Sequence, residues 1–110
     1  MVDWRDQEAA NEGIFRDMNE WTLEASKDHL GADQSMSAFL CECSDRGCTE
    51  PINLTHLEYE AIRAVSIRFA IALHHENPEI DRVLWENPRY ATVEKIGAGA
   101  RVARASDPRR

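Results

Sequence analysis

The chain lacks any apolar run approaching the ~20 residues needed to span a bilayer. Its opening, Met1 to Glu8, is acidic and polar, so no secretory signal or transit peptide is expected. An excess of positive charge is missing as well: 13 Lys and Arg stand against 20 Asp and Glu, a net charge of -7 with neutral histidines. That balance argues against sequence-independent nucleic-acid binding, which rests on cations meeting phosphates. Cysteines number only three. They cannot all pair among themselves, and nothing points to an oxidising compartment, so a cytoplasmic setting with reduced thiols is expected. Also missing are an internal repeat, a Ser/His/Asp set with motif support and the paired C-x2-C knuckles of a zinc ribbon. What remains is 110 residues, 43% apolar and 30% charged, which is the size and composition of one folded domain.

Residues Asp6 to about Lys27 predict an amphipathic helix. Ile14, Met18, Trp21 and Ala25 recur at i, i+4, i+7 and i+11, and form its expected core stripe, with Phe15 and Leu23 beside it. Glu8, Glu12, Arg16, Asp17, Glu20 and Glu24 are then expected in water. The competing use of the same stripe, with Trp4 near it, is docking of a partner or of a second copy of the chain. Residues Asp28 to Ser37 have linker chemistry (Gly31, Asp33, Gln34, Ser35, Ser37). Beyond them the period changes to two. Phe39, Cys41 and Cys43 share one face of an extended segment, and Leu40 and Glu42 the other. Ser44 to Gly47 is a turn, and Ile52 and Leu54 continue as a second strand, giving a β-hairpin with cysteines around its tip.

Thr55 is a helix N-cap, with Glu58 three residues on for a capping box and Leu54 with Tyr59 for a hydrophobic staple. Leu57, Ala61, Ile62, Ala64 and Val65 form the expected core stripe of that helix, to about Ser66. Arg68 to His75 predicts a strand that Asn77-Pro78 breaks. Residues 80–86 are open between helix and strand; a hairpin pairing 81–86 with 90–96 across Asn87-Pro88 is preferred. Gly97 to Ala105 predicts a short helix stopped at Asp107-Pro108.

Cys41-x-Cys43-x4-Cys48 carries the chemistry. Alternation puts the first two thiols on one side of a strand, and the turn returns the third towards them. Soft thiolates converging on a tetrahedral point suit Zn2+, and a structural site wants a fourth ligand. Four histidines compete for that place. If Phe69, Ile71 and Leu73 face the core, His75 points inward with them and His74 outward. His56, just after the second hairpin strand, is the spatial rival, and His29 lies in the linker. A metal would also relieve a shortage. A core this small leaves only a few kcal/mol (about 3–5) after chain entropy, whereas structural zinc contributes on the order of 10 kcal/mol in finger peptides.

Asn11-Glu12 with Phe15-Arg16 and Asn19-Glu20 open a pattern that continues through Phe39 to Cys43 and Cys48-Thr49-Glu50. Leu54-Thr55, Glu58-Tyr59-Glu60, Arg63, Arg68-Phe69 and His75-Glu76 follow. Arg89-Tyr90, Val93-Glu94-Lys95 and Asp107-Pro108-Arg109 complete it. In this order and spacing the chain resembles an uncharacterised family of small actinobacterial-type cytosolic proteins. The resemblance implies that Cys41, Cys43, Cys48 and His75 form one set, and it lends no activity. Where relatives have Pro-Gly-His-Glu, this chain has Leu73-His74-His75-Glu76, which is expected to lengthen the strand and to leave His74 as a rival ligand.

The expected fold is α+β: a small zinc-stabilised domain with a cysteine β-hairpin, a capped central helix, further antiparallel strands and a long N-terminal amphipathic helix. The expected organisation is a helix over 1–30, a linker over 31–37, a zinc-binding core over 38–96, and a short helix with a basic tail over 97–110. Glu76 or Glu42 would be the base of a catalytic zinc site, but both are expected to be solvated neighbours. Gly97 to Val102 resembles half of a dinucleotide loop with too little chain after it. The expected function is therefore non-catalytic: a zinc-binding regulatory or adaptor protein acting through protein contacts. The acidic body suits a basic partner such as nucleic-acid machinery, and direct contact with nucleic acid is left to the tail bearing Arg101, Arg104, Arg109 and Arg110. Alternatives are a thiol/zinc redox switch and, behind it, a zinc-dependent enzyme.

Overall fold

The hairpin signals, the capping box and the proline breaks divide the chain into eight elements in the computed structural model, which describes residues 4–26, 35–43, 45, 47, 48 and 50–109. Helix α1 spans Trp4–Ser26, β1 Met36–Leu40, β2 Pro51–Thr55, α2 His56–Arg63, β3 Arg68–Ile71, β4 Asp81–Glu86, β5 Ala91–Lys95 and α3 Ala98–Ala105. Strands β1 and β2 form an antiparallel pair with Phe39 opposite Ile52. The other three form an antiparallel sheet in the order β3-β5-β4. The architecture is α+β. Strand β1 starts inside the stretch expected as a linker, and residues 27–34 lie outside the described ones.

Local chemistry fixes α2. Thr55 accepts from the Glu58 N–H at 3.1 Å and the Glu58 carboxylate accepts from the Thr55 N–H at 2.8 Å, a reciprocal capping box. The box sets the helix phase, and the phase differs from the expected stripe. His56, Tyr59, Ile62 and Arg63 are buried, whereas Leu57, Ala61 and Ala64 face solvent. Tyr59 is thereby stacked on Phe39, ring centroids 4.5 Å apart. This contact joins α2 to the hairpin in a core that also holds Leu54, Phe69, Ile71 and Val93. Strand β4 pairs with β5 as preferred from the sequence, with an irregularity: Val83 stands opposite Val93 and Trp85 opposite Thr92, so Leu84 is an extra residue in β4.

The largest departure from expectation is α1, which buries its polar face. Ile14, Met18 and Trp21 are 54%, 51% and 77% exposed, while Glu12, Arg16 and Asn19 have no exposure and only Leu23 joins the core. The physical reason is that each buried polar side chain meets partners that the apolar stripe could not serve. Arg16 donates to the carbonyls of Ser66 at 2.5 Å and Ala103 at 2.8 Å, and lies over the Phe69 ring at 4.5 Å. Asn19 meets the backbone of Leu40 in both directions. The ammonium of Lys95, fully buried, sits between the carboxyls of Glu12 and Asp81. The C-terminal tail is tied down in the same way. Asp107 takes the buried guanidinium of Arg63, and Arg109, one of the tail's arginines, bridges Glu20 and Glu60 at the surface.

One ammonium between two buried carboxyls neutralises one of them. Burial pushes Glu12 up from 4.5 to about 8 against the pull of Lys95, and Glu12 Oε1 has no hydrogen-bond partner in the interior. Glu12 therefore keeps its proton in the folded chain where the unfolded chain has lost it. The stabilisation this represents is full below the ordinary carboxylate range and is lost as pH rises towards about 8. Glu12→Gln mimics the protonated acid. Relative to wild type, its unfolding free energy should rise by about 1.4 kcal/mol per pH unit across that window, in urea titrations at several pH values. A pH-independent difference would mean that Glu12 is ionised throughout.

Candidate metal centre

Three separate segments bring the cysteines and one histidine together. The β1–β2 hairpin continues for one more bond, from the Cys41 N–H to the Glu50 carbonyl at 3.2 Å. The next residue leaves the hairpin: the Glu42 N–H bonds the Ala70 carbonyl of β3 at 2.8 Å. Cys41 and Cys43 therefore lie on one side of a segment bridging the two sheets, as alternation requires. Asp45 then turns the chain. Its carboxylate accepts from the Gly47 N–H at 2.9 Å and its carbonyl from the Cys48 N–H at 3.0 Å, which brings Cys48 back.

The histidine arrives by a turn and not by a longer strand. Strand β3 ends at Ile71, and the His75 N–H bonds the Ala72 carbonyl at 3.2 Å. His74 has φ +70°, the left-handed backbone that favours glycine. The expectation that loss of the Pro-Gly turn lengthens the strand is thus corrected: His74 adopts the turn conformation itself. It is exposed there, while His75 is swung to the cysteines.

The Nδ1 of His75 is 3.5 Å from the Cys41 sulfur and 3.6 Å from that of Cys48. The ligand atoms of Cys41, Cys43, Cys48 and His75 all lie within 4.8 Å of one another. In a tetrahedron with the usual metal–sulfur and metal–nitrogen lengths of zinc, the S···N edge is about 3.6 Å. The two S···N separations at His75 match it. Cys41 and Cys43 are buried, and Cys48 and His75 are half-buried. Of the rival histidines, His56 sits at the start of α2 with its Nε2 3.9 Å from Glu60, and His29 lies outside the described residues.

Two supporting contacts escaped the sequence reading. Glu50 holds the far side of the imidazole, with its carboxylate 3.2 Å from Nε2. A proton kept on Nε2 leaves the Nδ1 lone pair facing the sulfurs, the carboxylate–histidine arrangement of metal sites. The Ala72 N–H donates to the Cys41 sulfur at 3.1 Å, which stabilises a thiolate there. Neither contact has a local signature, since Glu50 is 25 residues from its partner and Ala72 acts through its backbone.

The sulfurs favour one negative charge among themselves. Cys43 is pushed down to about 5, first by its hydrogen bond with Cys41, with His75 and Cys48 helping. Cys41 is pushed up by that same bond and then by burial, and burial pushes Cys48 up as well. A second thiolate at this spacing meets the charge of the first. A divalent cation at the centre removes that repulsion and lets all three ionise. Cys41, Cys43, Cys48 and His75 thus make a donor set compatible with a bound metal ion.

Glu42, expected in solvent, is fully buried instead. Its side chain points away from the sulfurs and accepts from Tyr59 at 2.5 Å, Asn19 at 2.8 Å and the Ala70 N–H at 2.9 Å. Burial pushes its carboxyl up and these donors pull it back. Every oxygen of Glu42 is committed to the fold, so it is not placed to serve as a base. Set against models of protein families, curated proteins and solved structures, the chain matches none of them.

Removing Glu50 tests the support of the imidazole. Glu50→Ala should weaken metal affinity by about 10–100-fold with the fold intact, as read by chelator competition. His74→Gly should leave metal binding unchanged and alter stability by less than about 1 kcal/mol, since relief of the turn offsets the added freedom of the unfolded chain. A loss of metal in that variant would make His74 a ligand.

Proposed function

We propose that Cys41, Cys43, Cys48 and His75 hold a structural Zn2+ ion, and that the protein is a non-catalytic regulatory or adaptor protein working through protein contacts. The observation that carries the metal reading is the convergence of four donor atoms from three segments within 4.8 Å of one another, with His75 Nδ1 3.5 and 3.6 Å from two of the sulfurs. Three thiolates select a soft or borderline ion, and four protein ligands leave no open position for a substrate or water. Reduced thiols and the lack, among the described residues, of a helix able to cross a membrane suit a cytoplasmic protein.

The contact reading rests on the face that α1 leaves uncovered. Met18 and Trp21, with Ala38 and Leu40 of β1, line a cavity of about 460 Å3 whose charged lining residue is Asp17. An apolar groove edged by an acid on a chain of net charge -7 suits an amphipathic segment with a basic rim, such as nucleic-acid machinery supplies. Like charge disfavours a second copy of this chain there.

A redox switch is the second reading, favoured by Cys48, which is only half-buried at the edge of the cluster. Peroxide taking two electrons from two thiolates would join them as a disulfide and expel the ion.

Metal analysis of the purified chain beside a His75→Ala variant tests the proposal. One zinc per chain, its affinity falling at least about tenfold in the variant and the chain losing stability on chelation, is the expected result. A stoichiometry near zero overturns it. Zinc release and a disulfide at sub-millimolar peroxide would favour the switch over the purely structural role.

A further inference from the structure

Glu42 and Asn19 join the candidate metal centre to α1. Glu42 lies between two ligand cysteines in the chain, and its side chain leaves the backbone on the side opposite their sulfurs. Asn19 donates from Nδ2 to the Glu42 carboxylate at 2.8 Å and to the Leu40 carbonyl at 2.8 Å, and its Oδ1 accepts from the Leu40 N–H at 2.7 Å. One side chain of α1 thus grips the two residues that flank Cys41. Both Asn19 and Glu42 are fully buried. A displacement of about an ångström in the Cys41–Cys43 segment takes these bonds beyond hydrogen-bond length together, and each group left without its partner carries a desolvation cost.

The other fully buried polar side chains of α1, Arg16 and Glu12, lie closer to its N-terminus and bind elsewhere in the fold, while the partly exposed Glu20 beside Asn19 meets Arg63 and Arg109. Arg16 meets Ser66 and the end of α3, and Glu12 meets Lys95 of β5. They hold the first half of the described helix whatever the cysteine segment does. The second half, Asn19 to Ala25, carries Trp21 on its exposed face and Leu23 in the core.

We propose that metal occupancy controls the docking of this second half of α1, through the Asn19–Glu42 clasp, and with it the shape of the groove between α1 and β1. The inference rests on the metal reading above. With the ion in place, the sulfurs of Cys41 and Cys43 are fixed at their tetrahedral positions and the clasp is held closed from behind. Without it, the sulfurs lose their common centre, the segment relaxes, and Glu42 and Asn19 exchange each other for water. Because the coupling is a thermodynamic linkage, docking of α1 strengthens metal binding by the same factor as the metal strengthens docking. Since Met18 and Trp21 form one wall of the groove and Ala38 and Leu40 the other, a partner reading that groove reads the metal state.

The test uses the full chain with Zn2+, and with Co2+ as the spectroscopic stand-in. Asn19→Ala touches no ligand, yet it should lower metal affinity about 5–150-fold, the range of typical coupling. The absorption bands of the Co2+ form should stay unchanged, because the donor set is intact. Hydrogen exchange should show residues 19–25 of the wild-type chain losing protection on chelation by at least about tenfold more than residues 12–16. Glu42→Gln keeps the shape of the side chain but presents an amide nitrogen to one of its donors, and should give a smaller loss than Asn19→Ala. Should the stripped chain unfold as a whole, the affinity measurements decide alone. Equal metal affinity in wild type and both variants, at one ion per chain, overturns the coupling and leaves the metal reading standing. No metal uptake by the wild-type chain overturns the metal reading itself.

Discussion

A carboxylate taken wholly out of water has to be met by donors, and in this protein the elements around Glu42 are arranged to supply them. Tyr59 comes from α2, Asn19 from α1 and an N–H from β3, so three elements converge on one side chain. Each depends on a further constraint. Tyr59 is aimed by the capping box at Thr55 and by its stack on Phe39. Asn19 is aimed by its two-way contact with Leu40, and the β3 amide by its place at the sheet edge beside the cysteine segment. Cys41 and Cys43, on either side of Glu42 in the chain, pack within the apolar core. The fold is less an oil drop with a metal attached than two small sheets joined across a satisfied charge.

The same rule is repeated at longer range. Arg16 reaches across to Ala103, Lys95 to Glu12 and Arg63 to Asp107, and each pairing ties an early part of the chain to a late one. A buried ion pair such as Arg63–Asp107 adds little net stability against a well-packed apolar alternative, because desolvation absorbs most of the attraction. The effect of these pairings is on uniqueness. A helix held by apolar residues alone can slide or roll over a core; one held by Glu12, Arg16 and Asn19 has a single position in which all three are met.

The sequence carried the parts of the structure whose causes are local. The capping box at Thr55 and Glu58, the turn that returns Cys48 and the hairpin across Asn87-Pro88 rest on residues a few positions apart, and they could be read directly. The shared side of Cys41 and Cys43 was legible because thiolates at one-residue spacing on a strand must share a side, whereas spacing alone left the fourth donor open among the histidines. The orientation of α1 was not legible, because amphipathic reasoning assigns apolar residues to the core and had no means to see partners some 80 residues away. The turn at His74 was missed for a similar reason: histidine gives no sign of left-handed backbone, and only its packing dictates it. In space Glu12 partners Lys95, Asn19 and Tyr59 both donate to Glu42, Arg63 pairs with Asp107 and Arg89 with Glu58, pairings that no local pattern displays.

The extra residue in β4 has a consequence for the behaviour of the protein among its neighbours. Among the described residues β4 has β5 on one side and no strand on the other. Its residues from Arg82 to Trp85 include three exposed apolar side chains, the composition that invites another strand to add on. Insertion of Leu84 puts Arg82 and Trp85 on one face and Val83 and Glu86 on the other, a step of three where a regular strand steps by two. An incoming straight strand therefore falls out of phase halfway along, with its apolar residues presented to the wrong face. The irregularity at Leu84 thus makes this edge a poor template for a straight incoming strand.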